Sequence, residues 1–326
     1  MVKMLTNPEL MAIENMGIIM GAKKQGLPVF PEDLLVNYAH ISEKLNSLEN
    51  SWSKKTNTIL RKTFLKWLQG VSQESDLKKK IGLAKVLQPL LMEFIKDVWD
   101  YGQQTADQEI KQMELMAFGE EKSSLSDLTN NDAFEWYELY MLEIAKQQEA
   151  ALFHYMMPLI LEYIGAGLVG TKLAAALATD FARYGSVRAG IIARTESNKA
   201  FNWGRRYRFD PSPAIKGYRY SAILDERTTD ICNFLHGHSW AIDDPNLNEH
   251  TPPNHYQCRG LLVPISKYVS YEMNPPAAGW EDQLPPKEKK VFDKFKDSTF
   301  YPNADAVKDK AKPKMAKPKA QKKASK

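Results

Sequence analysis

The chain has 326 residues, of which 43% are hydrophobic and 26% charged, a globular composition that excludes a chain disordered or membrane-embedded as a whole. The net charge of +4 is local, because residues 311–326 hold seven lysines and no acidic residue. Without these lysines, 37 basic residues remain against 40 acidic ones, a balance of about −3. Two cysteines are too few for a disulfide framework and favour free or metal-bound thiols.

Targeting and nucleotide-binding signals are not evident. Pro8, Glu9 and Glu14 interrupt the apolar stretch that a signal peptide would need, so we expect no secretion. The most apolar run, residues 155–170, is shorter than the roughly 20 residues that span a bilayer and contains Pro158 and Glu162, so it predicts a buried helix and no membrane span. The sequence has no P-loop, which argues against nucleotide hydrolysis.

The first 210 residues are predicted to be mainly helical. Apolar side chains recur every three or four residues from 77 to 101, the spacing of one helix face. They are Leu77, Ile81, Ala84, Leu87, Leu91, Phe94, Val98 and Tyr101. Pro89 lies within this series, and because proline lacks an N–H it predicts either a kink or the start of a second helix. Residues 119–132 predict a loop, with Asp132 and Glu135 spaced as a capping box before a long helix.

A further helix is predicted between residues 171 and 207. Its later part carries Arg194, Asn198 and Asn202 four residues apart, which places three polar side chains on one face. That face is either solvated or part of a buried polar network against the next domain.

After residue 210 the pattern changes from helical to extended. Residues 218–224 and 260–265 are typical of strands, and the segment between them is rich in cysteine and histidine. We therefore predict an α+β protein with a mainly helical N-terminal body (1–210) and a small strand-containing Cys/His module (211–270). A proline-rich surface extension (271–302) and a disordered lysine-rich tail (303–326) complete the predicted organisation.

Both cysteines and four of the six histidines fall between residues 232 and 258. Zinc accepts thiolate and imidazole ligands in tetrahedral geometry, and two short-spaced pairs can supply four. The most natural set is Cys232, His236, His255 and Cys258, which makes zinc the candidate cofactor. The alternative is a tight structural junction in which Pro252 and Pro253 fix a turn and the cysteines are small buried side chains.

A catalytic interpretation of the same residues has less support. No histidine is followed two residues later by glutamate, which disfavours a zinc deaminase. A cysteine nucleophile would need His236 or His255 as its base, and the sequence does not fix that geometry. The preceding charged turn, with Asp225, Arg227 and Asp230, is expected to be a solvated strand end.

The order of several short motifs resembles the head-morphogenesis domain of tailed-phage minor capsid proteins, the F-like proteins of Mu-type phages. The similarity covers roughly residues 90–265 and is carried by an Arg-Thr-Glu helix, an Asp-x-Arg-Thr turn, a cysteine before a glycine, and a Pro-Pro-x-His-x-x-Cys-Arg segment. The matching residues are Arg194, Thr195, Glu196, Asp225, Arg227, Thr228, Cys232, Gly237, Pro252, Pro253, His255, Cys258 and Arg259. Many members carry further cysteines where this chain has Thr229 and Gly260, so an all-cysteine zinc site is not expected, and His236 or His238 would substitute.

The resemblance implies a non-enzymatic minor structural protein of the phage head, acting in procapsid assembly near the portal. Its implied partners are the portal protein and the major capsid or scaffolding protein, and its implied location is the virion, in the capsid interior or portal region, after assembly in the host cytoplasm. The tail is expected to bind double-stranded DNA without sequence preference, because lysines that neutralise phosphates release counterions. The lysines concerned are Lys312, Lys314, Lys317, Lys319, Lys322, Lys323 and Lys326.

Two alternatives remain open. One is a nuclease-like enzyme within residues 215–265, with His255 as acid/base and Arg259 stabilising phosphate charge. The other is a protein carried in the head and delivered to the host with the genome.

Overall fold

The computed structural model describes residues 38–119 and 131–296. The first part consists of four long helices with a short 3-10 turn, Glu74–Lys78, after the first. The helices are α1 (Tyr38–Gln69), α2 (Leu83–Phe118), α3 (Asn131–Gly165) and α4 (Gly170–Phe209). The second part contains three strands, three shorter helices and a second 3-10 turn, Trp280–Gln283. They are β1 (Ile215–Ser221), α5 (Asp230–Leu235), β2 (Ser239–Ala241), α6 (Leu247–His250), β3 (Leu261–Ser266) and α7 (Pro286–Lys296). This arrangement confirms the predicted α+β fold class.

The apolar series that predicted a helix between residues 77 and 101 lies largely on the buried face of α2. Leu87, Leu91, Phe94 and Val98 are all buried in the core of the helical body. The helix begins later than the pattern suggested, at Leu83, because the carboxylate of Glu149 on α3 accepts hydrogen bonds from the N–H groups at its start. It continues through Pro89, so the proline does not open a second helix.

Two glycines allow α2 and α4 to cross at very short distance. A Cβ atom at Gly102 would lie 2.6 Å from the carbonyl oxygen of Phe201, and one at Gly204 would lie 2.5 Å from that of Trp99. Real Cβ atoms do not approach backbone so closely, so any side chain at either position would push the helices apart. The close crossing aligns the end of α4 with the middle of α2.

The apolar run before residue 170 forms the end of α3 and is buried on one side only. Met156 and Ile160 are in the core, whereas Tyr155 and Leu161 are exposed. Among residues 38–119 and 131–296, no helix combines the length and apolar character that crossing a membrane would need. The predicted loop at 119–132 falls almost entirely outside the described residues. The two positions of the predicted capping box, Asp132 and Glu135, both lie within α3, which begins at Asn131.

The strands form one antiparallel sheet in the order β2-β1-β3. Strands β1 and β3 were predicted from their residue pattern. Strand β2 was not, because three residues are too few to show a period and the strand exists only through its pairing with β1. In the register, Tyr218 of β1 lies opposite Trp240 on one side and Pro264 on the other.

A second hydrophobic core lies beneath this sheet and extends beyond the predicted module. Trp280, Leu284 and Phe292 are buried in it together with Trp240. The proline-rich segment, predicted as a surface extension, is therefore packed against the module as far as Lys296, and Pro286 occupies the first position of α7, where proline is favoured. Burial of the aromatic side chains packs this segment against the module, although its composition is typical of a loop. Residues 297–326, including the predicted lysine tail, lie outside the described residues.

Candidate metal centre

Two residues of the polar stripe on α4, Asn198 and Asn202, are buried against the module. The side-chain amide of Asn198 donates to the carbonyl of Gly260 at 2.8 Å, and the amide oxygen of Asn202 accepts from the N–H of Leu262 at 3.0 Å. Arg194 pairs with Glu49 of α1 at 3.0 Å. The hypothesis of a buried polar network against the module is thus confirmed for Asn198 and Asn202, whereas Arg194 stays partly exposed and contacts α1.

A buried ion pair lies one helical turn further along α4. The guanidinium of Arg205 donates to both carboxylate oxygens of Glu109 on α2, at 2.5 and 2.9 Å, and both side chains are almost fully buried. Arg205 also approaches the carbonyl of Leu262 on β3 at 3.4 Å. Burial raises the pKa of Glu109, although the Arg205 charge opposes this effect. This pair, which the sequence did not reveal, joins the two long helices and the sheet at one point.

Thr195, from the Arg-Thr-Glu motif, fixes the turn that precedes Cys258. Its hydroxyl accepts from the N–H of Gln257 at 3.0 Å. Within residues 38–119 and 131–296, Gln257 is the one non-glycine residue with a positive φ, 59°. A left-handed conformation is costly for such a residue unless its surroundings hold it, and the threonine supplies that contact.

The Asp-x-Arg-Thr motif forms a hydrogen-bonded turn that is tied to the Cys-Arg segment. Arg259 donates to both carboxylate oxygens of Asp225, at 2.7 and 2.6 Å, and this contact holds the pKa of Asp225 far below its usual range. Arg227 lies 3.4 Å from the same carboxylate but is itself largely exposed. The hydroxyl of Thr228 closes the turn by accepting from Asp225 N–H and donating to the carbonyl of Ile223, both at 2.8 Å.

Three of the four predicted metal ligands meet in one cluster. The sulfur of Cys232 lies 3.0 Å from Nε2 of His255 and 3.8 Å from the sulfur of Cys258. All three side chains are buried, and their ligand atoms lie within 4.8 Å of one another. The cysteines are free thiols.

Neighbouring groups fix the position of Cys232 and the orientation of the His255 ring. Thr229 caps α5 by accepting from the N–H of Cys232, which places Cys232 in the first turn of that helix. Nδ1 of His255 is 2.8 Å from its neighbouring carbonyl at Tyr256. A proton on Nδ1 satisfies that carbonyl and leaves the Nε2 lone pair facing Cys232, which is the tautomer a metal ligand needs.

His236 is the predicted ligand that the fold leaves out. Its Nδ1 accepts from the N–H of Ala222 at 3.0 Å, because the chain turns back toward β1 directly after α5. His238 contacts the carbonyl of Asn274, and His250 accepts from the indole of Trp280. The three remaining histidines of the region therefore hold the module together through hydrogen bonds.

The pKa values of the three side chains in the cluster are shifted by burial and by their contacts with one another. Burial opposes ionisation of Cys258, but its contacts with Cys232 and His255 outweigh burial and hold the pKa of this thiol well below its ordinary value. The hydrogen bond with Cys258, together with burial, raises the pKa of Cys232. Burial lowers the pKa of His255, yet the neighbouring Cys258 sulfur outweighs it and raises that pKa overall.

The donor set fits zinc. Two thiolates bound tetrahedrally at about 2.3 Å lie about 3.8 Å apart. The measured separation of the two sulfurs is 3.8 Å. Thiolate and imidazole ligands also favour zinc over cations that prefer oxygen ligands, such as Mg²⁺ and Ca²⁺. The cluster is thus a site that could hold a metal ion, with Cys232, His255 and Cys258 as its donors.

The two residues of the nuclease hypothesis make their contacts inside the module. His255 is only 8% exposed, and its two ring nitrogens face the Tyr256 carbonyl and the Cys232 sulfur. Arg259 has its guanidinium on Asp225. These contacts give both residues a structural role.

The fold and the cluster together define a helical protein whose small antiparallel module is closed by buried Cys and His side chains. Residues 159–263 match the family model described as Phage Mu protein F like protein. The match runs from the end of α3 to β3 and contains the whole polar stripe and every residue of the cluster. It confirms the resemblance to the F-like proteins of Mu-type phages over this segment, which is about a third of the chain. Searches of curated proteins and of solved structures gave no match.

Proposed function

We propose that the protein is a minor structural component of a tailed-phage head that acts in procapsid assembly near the portal, without catalysing a reaction. The main support for this proposal is that the residues of the matched motifs form hydrogen bonds within the protein. Among the matched residues, Thr195 on α4 binds Gln257 of the module, and Arg259 binds Asp225 within the module. The nearby Asn198 binds Gly260, so this part of α4 joins the compact module to the helical body.

The proposed mechanical role follows from how rigidly the module is attached. Buried hydrogen bonds from α4 reach Gly260 and Leu262, and the Arg205–Glu109 pair fixes the same region to α2. A module held in this way moves as one body with the helices, so contacts of the helical body with portal, capsid or scaffolding protein would position it. We propose that the module acts as a rigid clip in the assembled head.

Removal of the protein tests this role. A phage with a nonsense mutation in the coding sequence should accumulate defective heads in a non-suppressing host, and the full-length protein supplied from a plasmid should restore normal heads. A plasmid copy with Arg205→Ala should restore fewer heads, whereas Arg208→Ala, which breaks a more exposed pair with Asp107, should complement normally. Normal head yield in the absence of the protein would contradict the proposal.

The lysine tail is proposed to contact the packaged DNA. Residues 311–326 carry seven positive charges without an acidic residue, beside a body that is slightly acidic. Binding through lysines should be independent of sequence and should weaken steeply with salt, with a slope of log K on log salt of up to about −6 if all seven contact phosphates. A protein ending at Ala306 should lose this salt-dependent binding. Equal binding by both proteins at low salt would show that the tail does not contact DNA.

The cluster of Cys232, His255 and Cys258 is proposed to hold one zinc ion with a structural purpose. Its burial, the sulfur separation and the orientation of His255 support this assignment. Metal analysis of the purified full chain should give one zinc per molecule, and Cys258→Ser should give much less. A wild-type protein without stoichiometric zinc would leave a metal-free junction as the alternative.

A further inference from the structure

The cluster has a fourth polar atom that does not belong to a cysteine or a histidine. Tyr220, on the central strand β1, is fully buried, and its hydroxyl oxygen lies 3.3 Å from the sulfur of Cys232 and 3.6 Å from that of Cys258. The other three donors come from α5 and from the loop before β3. The phenol therefore enters the cluster from the sheet side.

Three of the four separations within the cluster agree with donors around one ion. Donors held tetrahedrally at about 2.0 to 2.3 Å from zinc lie about 3.3 to 3.8 Å from one another. The two oxygen–sulfur distances, 3.3 and 3.6 Å, and the sulfur–sulfur distance, 3.8 Å, fall in this range. The distance from the Cys232 sulfur to Nε2 of His255, 3.0 Å, is somewhat shorter and corresponds to a direct hydrogen bond.

Gly260 makes room for the phenol. A Cβ atom at this position would lie 2.3 Å from the Tyr220 hydroxyl oxygen, so any side chain at residue 260 would displace it. The glycine is also held in place, because its carbonyl accepts from Asn198 at 2.8 Å and its N–H donates to the Cys258 sulfur at 3.3 Å. An N–H directed at a sulfur stabilises the thiolate form that a metal binds.

We propose that Tyr220 is the fourth ligand of the site formed by Cys232, His255 and Cys258, and that its hydroxyl oxygen binds the zinc ion as a phenolate. This inference rests on the proposed zinc site. On binding, the phenol proton passes to solvent together with those of the thiols, because a bound divalent cation strongly favours the ionised ligand. A closed set of four protein donors is the arrangement of structural zinc sites, which keep no position open for water or substrate.

The test uses the full chain with zinc as the probe. Addition of zinc to the metal-free wild type should produce the near-ultraviolet difference spectrum of one ionised tyrosine. Tyr220→Phe removes only the oxygen, and it should abolish this signal and weaken zinc binding at least about tenfold in competition with a chelator. Tyr218→Phe is the matched control, because Tyr218 is buried on the same strand but contacts Asp210, and it should retain the signal.

The outcomes separate this inference from the zinc site itself. Stoichiometric zinc binding by the wild type without an ionised-tyrosine signal, or with unchanged affinity in Tyr220→Phe, would overturn the role of Tyr220 and leave a three-ligand zinc site. Failure of the wild type to bind zinc would overturn both. The spectrum of the wild type decides between a phenolate ligand and a neutral phenol even if Tyr220→Phe does not fold.

Discussion

The helical body and the C-terminal module are stabilised in different ways. The body buries a continuous series of large apolar side chains along four helices of 32 to 40 residues. The module has three short strands over a smaller hydrophobic core, to which polar contacts and one Cys/His cluster are added. Single substitutions in the body remove one contact among many, whereas in the module and its junction they remove contacts that have no substitute. The module should therefore be the more fragile of the two.

The largest effect is expected at the pair that joins the two regions. Arg205→Ala leaves the Glu109 carboxylate buried without its partner and should lower the free energy of unfolding by about 3 to 5 kcal/mol. Denaturant unfolding monitored by circular dichroism measures this change. Arg208→Ala, at the partly exposed pair with Asp107, should cost about 1 kcal/mol or less. Similar losses for both variants would mean that the buried pair has no special role.

The second-largest effect is expected from removal of zinc, which should destabilise the module but not the helical body. At a free zinc concentration of about 100 times the dissociation constant, zinc should stabilise the wild type by about 2.7 kcal/mol. A chelator should remove this gain, and Cys258→Ser should show no response to zinc or chelator. Hydrogen exchange should locate the loss within residues 215–265. A chelator-induced loss of protection in α1 would contradict the separate stabilisation of the two regions.

A smaller effect is expected from the buried polar stripe. Asn202→Ala leaves the N–H of Leu262 without its acceptor and should cost about 1 to 3 kcal/mol. Thermal unfolding provides the measurement, and Asn57→Ala on α1 is the control, because the side-chain oxygen of Asn57 is buried without a hydrogen-bond partner among the described residues. A larger loss from Asn57→Ala than from Asn202→Ala would argue that the hydrogen bonds of the stripe contribute little.

The smallest effect concerns the partly exposed link between the two halves of the module. Arg259 lowers the pKa of Asp225, so this contact stabilises the fold above the unfolded pKa, near 3.8, and the gain is lost as pH falls below that value toward the folded pKa. Asp225→Asn should cost about 0.5 to 1 kcal/mol at pH 7. The difference from wild type should shrink as pH falls below about 4. A difference that grows toward low pH would show that the sign of the linkage is wrong.

Helical periodicity and strand composition were sufficient to predict α2, α3, α4, β1 and β3, whereas α1 was not predicted as a separate helix. Long apolar repeats identified α2 and α4, and two extended segments identified β1 and β3. The pattern did not reveal where α2 begins, because its cap is Glu149 on another helix. It also did not reveal β2 or the packing of Trp280 and Phe292, because those features depend on contacts with residues distant in the chain.

The candidate site could be predicted only in part, because it too depends on contacts between residues distant in the chain. Clustering in the sequence brought Cys232, His255 and Cys258 to attention, but it also suggested His236, whose ring the fold directs to Ala222. Tyr220 gave no signal, because a tyrosine in a strand is ordinarily a core residue and is not among the usual zinc ligands. The Arg205–Glu109 pair, 96 residues apart, could not be inferred from spacing at all.

The composition of purified particles tests the central claim most directly. Quantitative mass spectrometry of intact heads and of heads emptied by DNA ejection should find the protein in both, at a constant low number of copies relative to the major capsid protein. Its absence from intact heads would contradict a structural role in the head. Its presence in intact heads and loss upon ejection would instead identify a protein delivered with the genome.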